Sequence, residues 1–427
     1  MRTRLVDYLA GAALAACART APHPSATMPV QSGASPDAAI VERARAIHAR
    51  VITIDTHKDI PENFATPAAD PKTMNAQVTL DKMKAGGYDM AFFAVFVGQG
   101  PRTDSGNAAA KARARTKFAA IRRMADTLYP DLIQIAYSAA DVARIHDSGK
   151  LIAGIGIENG WVIGRDLSLI KTYYDLGARY MTLAHTSNND ICDSSTDAKG
   201  PEWHGLSPFG RHVVREMNRV GMMIDVSHVS KDCMLQATAL STSPVIGSHS
   251  STSALANVPR NMDDEMLAAI KTNGGVVQIV AVASFLKVQP ERDSAVSALG
   301  AEFFGGQPAA RGRGGRGGGR AALPPDRQTE YDRRMAEINA KWAPANVKDF
   351  VNHIDHAVQV AGIDHVGISS DFDGGGGIDG WRDASETFNV TLELVRRGYT
   401  EEDIRKLWGG NLLRVWSENQ RRAKPTA

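Results

Sequence analysis

Side chains that bind divalent metals stand at the ends of several apolar runs in this sequence. They are His57 and Asp59 in VITIDTHKD, Glu158 in LIAGIGIEN, His228 in MMIDVSHVS and His249 in PVIGSHSS. Because apolar, β-branched runs predict strands, each of these side chains would lie on the rim of a sheet, where water and substrate can reach it. Imidazoles and carboxylates gathered on one rim are typical of zinc-type sites. The pattern therefore predicts a metallohydrolase.

The spacing within two of the runs supports this interpretation. Residues i and i+2 of a strand point to the same face, so His57 and Asp59 can hold one ion together. Gly154 and Gly156 share a face with Glu158, and their missing side chains would leave room beneath it. A lone histidine at a strand end is more often a structural hydrogen-bonding group than a ligand. Four strand ends that all carry ligand-type residues make coincidence much less credible.

A carboxylate such as Glu158 can bridge two ions. One site would then consist of His57, Asp59 and Glu158, and the other of Glu158, His228 and His249. Two metals held in this way can lower the pKa of a shared water and stabilise both oxygens of a hydrolytic transition state. The residue types alone leave a single-zinc site open.

Three further residues complete a hydrolytic set. His185 ends the run RYMTLAHT and could polarise a carbonyl or stabilise an oxyanion, which is a catalytic as well as a substrate-binding role. Asp371 in HVGISSDFDG could pass a proton from the nucleophilic water to a leaving amine, and Asp373 competes for that role. Arg260 in NVPRNMDD could form a bidentate pair with a substrate carboxylate. An ordinary surface ion pair is an equally good interpretation of Arg260.

The elements that must position these residues alternate along the chain. Segments of helical character separate most of the apolar runs, which lie at 51–57, 88–98, 151–158, 179–185, 222–228, 244–249, 275–285 and 365–371. Such alternation predicts βαβ units and a parallel sheet. Eight runs match the strand count of a (β/α)8 TIM-type barrel, an α/β fold whose active site lies on the C-terminal rim. The alternative, an open doubly wound sheet, would concentrate its ligands at one switch point, so the spread of ligands favours the barrel.

Composition excludes little, but one segment interrupts the alternation. The chain of 427 residues has a net charge of +2, and its three cysteines exclude a disulfide framework. An insertion at about 286–345 contains GGQPAARGRGGRGGGRAALPPD, which is too rich in glycine and arginine to bury a core. We expect its middle to be mobile and the helical stretch 328–342 to fold back over the rim as a lid. We expect no nucleic-acid partner, because the tract is short. The alternative is that the tract binds RNA or anionic lipid.

The first residues are typical of an export signal. A short basic start precedes LVDYLAGAALAAC, and LAAC resembles a lipobox that ends at Cys17. We expect a signal peptide at 1–16, a flexible tether at 17–40, the single catalytic domain at 41–420 and a polar tail at 421–427. This organisation predicts an exported lipoprotein of a Gram-negative bacterium, periplasmic or attached to the outer membrane through Cys17 alone. An ordinary secretory signal and a cytosolic chain are the alternatives, and a homodimer is left open.

Seven motifs together resemble the membrane dipeptidase (renal dipeptidase) family of zinc peptidases over about residues 45–420. They are DTHKD, GIGIENG, YMTLAHTSNND, IDVSHVS, PVIGSHSS, PRNMDD and HVGISSDFDG. The resemblance implies a (β/α)8 barrel with two zinc ions bridged by Glu158, and it places Asp371 at the catalytic acid/base position and His185 and Arg260 at substrate-binding positions. It implies the ligand set His57, Asp59, Glu158, His228 and His249. It also implies hydrolysis of dipeptides, often with a D-residue on the C-terminal side, by a metal-bridging hydroxide.

The sequence departs from this family at two places near the site. Lys58 stands where many relatives have asparagine, and Ala281 lies near the place of a tyrosine that contacts substrate. These differences leave the metal chemistry intact and the substrate preference open. The alternatives are a related amidohydrolase that acts on N-acyl amino acids or lactams, and a non-catalytic binding lipoprotein.

Overall fold

The computed structural model describes residues 36–304 and 323–424. Several of the sequence predictions lie outside the described residues. These are the signal peptide at 1–16, the lipid attachment at Cys17, most of the tether, the Gly/Arg-rich middle of the insertion and the last residues of the tail. Among the residues described, no helix is long and apolar enough to span a bilayer.

The apolar runs form a sheet of nine strands, in which every pairing is parallel. The strands are β1 (Ile54–Lys58), β2 (Met90–Phe96), β3 (Ile133–Ile135), β4 (Leu151–Glu158), β5 (Ala178–Thr182), β6 (Met223–Asp225), β7 (Ile246–Ser250), β8 (Val276–Val280) and β9 (Val366–Ser369). Eight of them follow one another around the sheet in the order β1-β2-β4-β5-β6-β7-β8-β9. The short strand β3, which the sequence did not predict, pairs only with β4.

The sheet closes on itself beyond the ends of β9 and β1. A parallel bridge joins Lys58 to Phe372, and the Asp59 N–H donates to the Phe372 carbonyl at 2.9 Å. The result is a nearly closed barrel of eight parallel strands, which confirms the (β/α)8 prediction and excludes the doubly wound alternative.

Helices follow the strands and cover the outside of the barrel. They are α1 (Pro36–His48), α2 (Leu80–Gly86), α3 (Asp104–Arg122), α4 (Ala139–Asp147), α5 (Ser168–Asp175), α6 (Pro208–Val220), α7 (Lys231–Leu240), α8 (Asp264–Asn273), α9 (Ala283–Leu286), α10 (Pro290–Phe304), α11 (Pro325–Lys341), α12 (Val347–Ala361), α13 (Phe388–Arg396), α14 (Glu401–Arg405) and α15 (Asn411–Arg422). Local chemistry sets many of the ends. Ser207, for example, caps α6 by accepting from the Gly210 N–H, and Gly221 ends it in the left-handed conformation.

Two glycines of β4 determine how the barrel is filled below its rim. A Cβ on Gly154 would lie 2.7 Å from the ring of Phe92, and one on Gly156 would lie 2.0 Å from the ring of Tyr180. The space that the sequence predicted beneath Glu158 is therefore occupied by aromatic rings. Because interiors are close-packed, a methyl group at either position would displace a ring.

The two ends of the domain are more ordered than the sequence predicted. Helix α1 begins at Pro36, inside the tether predicted for 17–40. Its buried Ala44 and Ile47 pack into the main core, which holds the helix against the domain. Helix α15 continues to Arg422, inside the polar tail predicted from 421. Its last turn is stabilised by Arg422, which donates to Glu418 at 2.6 Å.

The insertion is helical on both sides of its Gly/Arg-rich middle. The stretch predicted as helical at 328–342 is α11, which confirms the helix. It packs on α10, where Arg334 pairs with Glu302 at 2.6 Å and the rings of Phe303 and Tyr331 lie 5.4 Å apart. None of the α11 residues is buried. Its action as a lid stays a prediction.

Candidate metal centre and active site

The predicted ligands converge at the C-terminal rim of the barrel. Each lies in the last residues of a strand or just beyond it, and they are His57 and Asp59 of β1, Glu158 of β4, His228 after β6 and His249 of β7. All five are buried, with at most 8% of the residue exposed. His185, which follows β5, is buried beside them.

The carboxylate of Glu158 lies at the centre of this group. Its Oε1 is 3.0 Å from Nε2 of His228, 3.3 Å from Nε2 of His185 and 3.5 Å from Nε2 of His249. Its Oε2 is 3.4 Å from Nε2 of His57. A carboxylate with imidazole nitrogens near both oxygens has the surroundings that a bridging ligand needs.

The donor atoms form three compact groups, each within 4.8 Å. They are His57–Glu158–His249, Glu158–His185–His228 and His57–Asp59–Asp371. Glu158 belongs to two groups, as the sequence predicted, but the histidines are paired differently from the predicted triads. The structure thus brings every predicted ligand together, and the division of these ligands between two ions stays a prediction.

Buried atoms without partners show that the site suits a cation. Nε2 of His57, Oδ1 of Asp59 and Oε2 of Glu158 are inaccessible to water and have no hydrogen-bond partner in the described structure. A buried polar atom without a partner is costly, by about 1–3 kcal/mol. Divalent ions coordinated by these nitrogen and oxygen atoms would remove that cost, and the donor set is one that zinc accepts. The residues present therefore fit a metal.

A hydrogen-bond chain determines which nitrogen of His57 faces the site. Nδ1 lies 2.9 Å from the hydroxyl of Tyr180, and that hydroxyl donates its own proton to the Thr56 carbonyl at 2.9 Å. Because the hydroxyl has one proton, it must accept from the Nδ1–H of His57. Nε2 is then left to face Glu158, as a metal ligand requires.

His249 is oriented by an analogous chain. Its Nδ1 lies 2.8 Å from the hydroxyl of Ser248, which donates to Asp225 at 2.6 Å. Asp225 also accepts from the N–H groups of Ser227 and Ser248, at 3.0 and 2.8 Å. The carboxylate of Asp225 therefore fixes the ring of His249 and joins the ends of β6 and β7. Asp225 was not among the predicted site residues, although an aspartate inside an apolar strand must have partners when buried.

A second buried carboxylate, that of Asp55, joins β1 to the segment after β9. It accepts from the N–H groups of His57 and Ser370, both at 3.0 Å, and from the hydroxyl of Tyr88 at 2.6 Å. Burial raises the pKa of Asp55, and the hydrogen bonds oppose that rise. This carboxylate was also missed, and it holds the backbone next to Asp371 against β1.

Asp371 and Asp373 occupy different environments. Asp371 joins the donor groups, with Oδ1 4.0 Å from Nε2 of His57. Asp373 instead accepts from the Gln77 N–H at 2.8 Å and lies 3.1 Å from Nζ of Lys58. The structure therefore places Asp371, and not its competitor, beside the predicted ligands.

The backbone is strained at two of the clustered residues, Asp371 and His228, and at the nearby Asp373. Asp371, Asp373 and His228 have φ angles of 57°, 62° and 68°, in the left-handed region that L-residues avoid. Strain of this kind persists only where the surroundings enforce it, and it concentrates at functional sites. Next to them, a Cβ on Gly374 would lie 2.3 Å from Asp371 Oδ1 and 2.5 Å from Asp59 Oδ2. Only glycine lets this loop approach both carboxylates.

Lys58 lies in the sequence between the predicted ligands His57 and Asp59, but its fully buried side chain faces away from them. Its ammonium lies 3.1 Å from Asp373 and 5.2 Å from the centre of the Phe93 ring. The alternation of side chains along β1 explains this direction. The departure from asparagine at this position is thus accommodated by a buried ion pair outside the metal centre. Ala281, the other departure, is buried just beyond β8.

Arg260 is buried, so its interpretation as an ordinary surface ion pair is wrong. Only 8% of the residue is exposed, and Nη2 donates to the His249 carbonyl at 3.2 Å. The guanidinium also lies 5.3 Å from the centre of the Phe285 ring, and burial lowers its pKa to about 10. Within the described residues it forms no ion pair with a carboxylate. Its remaining donors are available to an anionic ligand.

The charges of the site favour a cation at its centre. Burial alone would lower the pKa of His57, but the charge of Glu158 raises it to about 10. Burial would raise the pKa of Glu158, and the surrounding histidines hold it well below its usual range. Burial, aided by the charge of Arg260, keeps the pKa of His228 well below normal. The centre thus combines one ionised carboxylate with a neutral His228 and a His57 that holds a proton, and a bound metal would have to displace that proton.

A parallel (β/α)8 barrel with clustered histidines and carboxylates on its C-terminal rim defines a barrel-type metallohydrolase. The sequence matches the family model "Membrane dipeptidase (Peptidase family M19)" over residues 41–427. The chain belongs to this family of metallo-dipeptidases.

Individual relatives agree with this assignment. The chain is 32% identical over 352 residues to "Dipeptidase tcpJ" of Claviceps purpurea (strain 20.1), a match that covers 81% of this chain and 70% of the relative. Its fold is similar to that of the probable dipeptidase PvdM from Pseudomonas aeruginosa, with a TM-score of 0.77 and 32% identity over 91% of this chain and all of that one. A metallo peptidase from Rhodobacter sphaeroides, at 21% identity and a TM-score of 0.66 over 86% of this chain and 99% of that one, has the same fold.

Substitution of Ser248 by alanine tests the chain that orients His249. Ser248→Ala removes the acceptor of the Nδ1–H, and we expect metal affinity to fall about 10–100-fold, as is typical when a partner of a ligand is lost. Competition with a chromophoric chelator measures the affinity. The matched control is Ser251→Ala, because Ser251 is equally buried but donates to the Val280 carbonyl at 3.1 Å. Equal metal affinities in the two variants would contradict the assigned role of Ser248.

Proposed function

We propose that this dipeptidase is a zinc enzyme with two ions bridged by Glu158, and that it cleaves L,L-dipeptides and L,D-dipeptides. The observation that carries the proposal is the placement of imidazole nitrogens near both oxygens of the buried Glu158 carboxylate. A bound zinc pair would supply an activated hydroxide for attack on the scissile carbonyl. The inclusion of D-residues follows the resemblance of the motifs to those of the family.

Arg260 supplies the group that recognises a dipeptide as such. Its buried guanidinium has donors left over after its bond to the His249 carbonyl. A planar guanidinium matches a carboxylate in a bidentate arrangement. Arg260 is held by its hydrogen bond to the backbone carbonyl of His249, a proposed metal ligand. A C-terminal carboxylate bound by Arg260 would therefore place the adjacent peptide bond at the metal centre.

His185 is placed to act on the carbonyl of that peptide bond. Its ring lies between the rings of Phe96 and His228, with centroids at 4.6 and 4.1 Å, so its orientation is fixed. A donor fixed in advance stabilises the oxyanion that develops during attack without further reorganisation.

Asp371 is the group that moves the proton. Its Oδ1 lies 4.0 Å from His57 Nε2, on the side of the centre that also holds Asp59. A carboxylate there accepts the proton of the nucleophile and donates it to the leaving amine.

A substrate panel tests the proposal. Zinc-loaded protein should hydrolyse L-Ala-L-Ala and L-Ala-D-Ala, lose the activity after treatment with a chelator and regain it with Zn²⁺. The panel also contains N-acetyl-alanine and a β-lactam. Faster hydrolysis of either of these would favour the alternative amidohydrolase, and no hydrolysis of any compound would favour a binding lipoprotein. Metal analysis of the purified protein should give two zinc ions for each chain.

The variant Asp371→Asn tests the proton transfer. We expect it to retain its zinc and to lose about 10²–10⁴-fold in kcat, the usual contribution of general acid–base catalysis. The comparison variant is Asp373→Asn, which breaks the ion pair with Lys58 and should lower the Tm more than the kcat. Near-normal turnover by Asp371→Asn, or a larger loss of kcat in Asp373→Asn, would exclude the assigned role.

We also propose that the protein is exported and attached to a membrane by a lipid on Cys17. The support is the basic start, the apolar stretch and the sequence LAAC. In a Gram-negative host, the wild-type protein should fractionate with membranes, and Cys17→Ser should move it to the soluble fraction. A wild-type protein found in the soluble fraction would refute the anchor.

A further inference from the structure

A polar cavity that contains none of the metal ligands opens at the same rim of the barrel. Its volume is about 450 Å³, and it lies between the loop after β2 and the long loop between β5 and α6. Its polar side chains come from Gln99, Arg102, Ser187, Asn188, Asp197 and Lys199, with Glu202 at one side. None of the assigned roles in metal binding or proton transfer uses these residues.

The cavity adjoins the metal centre through two short connections. Gln99 accepts a hydrogen bond at 3.4 Å from the side chain of Asn159, the residue that follows Glu158. On the other side, Ser187 lies two residues beyond His185. The walls of the cavity are therefore joined to the residue next to Glu158 and begin two residues after His185, the residue proposed to contact the scissile carbonyl.

The order of strands separates this cavity from Arg260 around the rim. In the ring β1-β2-β4-β5-β6-β7-β8-β9, strand β7, which precedes Arg260, is four positions from β2 and two positions from β5. A dipeptide whose C-terminal carboxylate is bound by Arg260 must extend across the metal centre. Its N-terminal residue then points towards the loops after β2 and β5.

The walls of the cavity are polar and largely fixed. Asp197 accepts from the N–H groups of Asn188 and Lys199 at 2.8 and 2.9 Å, and Arg102 pairs with Glu202 at 2.8 Å. No leucine, isoleucine, valine, methionine or aromatic side chain lines the cavity. An aliphatic side chain placed here would gain little apolar contact and would separate polar groups from water.

Two polar groups of the wall are left for a ligand. Within the described structure, the hydroxyl of Ser187 and the ammonium of Lys199 make no hydrogen bond and no close ion pair. We propose that this cavity receives the side chain of the substrate's N-terminal residue and selects hydrogen-bonding side chains over aliphatic ones. The inference rests on the proposed dipeptidase mechanism with the carboxylate on Arg260.

Glutamine and methionine make the sharpest comparison, because the two side chains are similar in length and shape and differ in hydrogen bonding. We expect kcat/KM for Gln-Ala to exceed that for Met-Ala about tenfold, the contribution of roughly one to two good hydrogen bonds. The double variant Ser187→Ala/Lys199→Met should reduce this ratio at least about fivefold, mainly through KM. The matched control is Lys271→Met, an exposed lysine in the last turn of α8, at the other end of the barrel, and it should keep the wild-type ratio.

The outcomes separate this inference from the proposed function. Equal kcat/KM for Gln-Ala and Met-Ala in the wild type, or an unchanged ratio in the double variant, would overturn the cavity assignment while the dipeptidase mechanism stands. A failure of zinc-loaded wild type to hydrolyse either substrate would overturn both. Zinc content and Tm, measured on each variant, show that the compared proteins are folded and loaded.

Discussion

The ionised carboxylate of Glu158 is buried at the rim of the barrel, with only 2% of the residue exposed, and this constraint organises the rest of the rim. A buried charge is tolerated only where opposite charge and hydrogen bonds compensate for lost hydration. Here the compensation comes from the nitrogens of His57, His185, His228 and His249, one from each of four parallel strands or the residues just after them. Bound divalent ions would complete the compensation, so the affinity for metal is a consequence of how this carboxylate is buried.

Two other carboxylates make that arrangement rigid. Asp55 joins β1 to the start of the loop with Asp371, and Asp225 joins β6 to β7 and fixes the ring of His249. Each accepts from two backbone N–H groups and from hydroxyls of neighbouring strands, so the ligands are positioned by the sheet itself and not by flexible loops. Ligands supported in this way need little reorganisation when metal or substrate binds.

The sequence was most informative where a pattern is local. Strand periodicity predicted eight barrel strands, and residue types at the strand ends predicted every side chain that the barrel brings into the three donor groups. What it missed depends on contacts between distant segments. The roles of Asp55 and Asp225 require partners from the strand beside each. The burial of Arg260 depends on the β7 segment and Phe285, and the ion-pair partner of Lys58 is Asp373, more than 300 residues away. The grouping of the histidines around Glu158 depends on how separate strands are arranged in the barrel, which no local pattern encodes.

The metal ligands are held by the strands, whereas the cavity is lined by loops. This separation explains how substrate preference can differ among relatives that share a metal centre. The ligands are held by strands and buried carboxylates, whereas Arg102, Ser187 and Lys199 lie on loops that cover the rim. A substitution in these loops changes the wall that meets the substrate without moving Glu158, because no hydrogen bond that orients His57 or His249 passes through them. The separation of scaffold and specificity is a general property of (β/α)8 barrels. In this chain, the polar cavity beside His185 would determine the choice of substrate, and the residues held by the sheet would carry the metal chemistry.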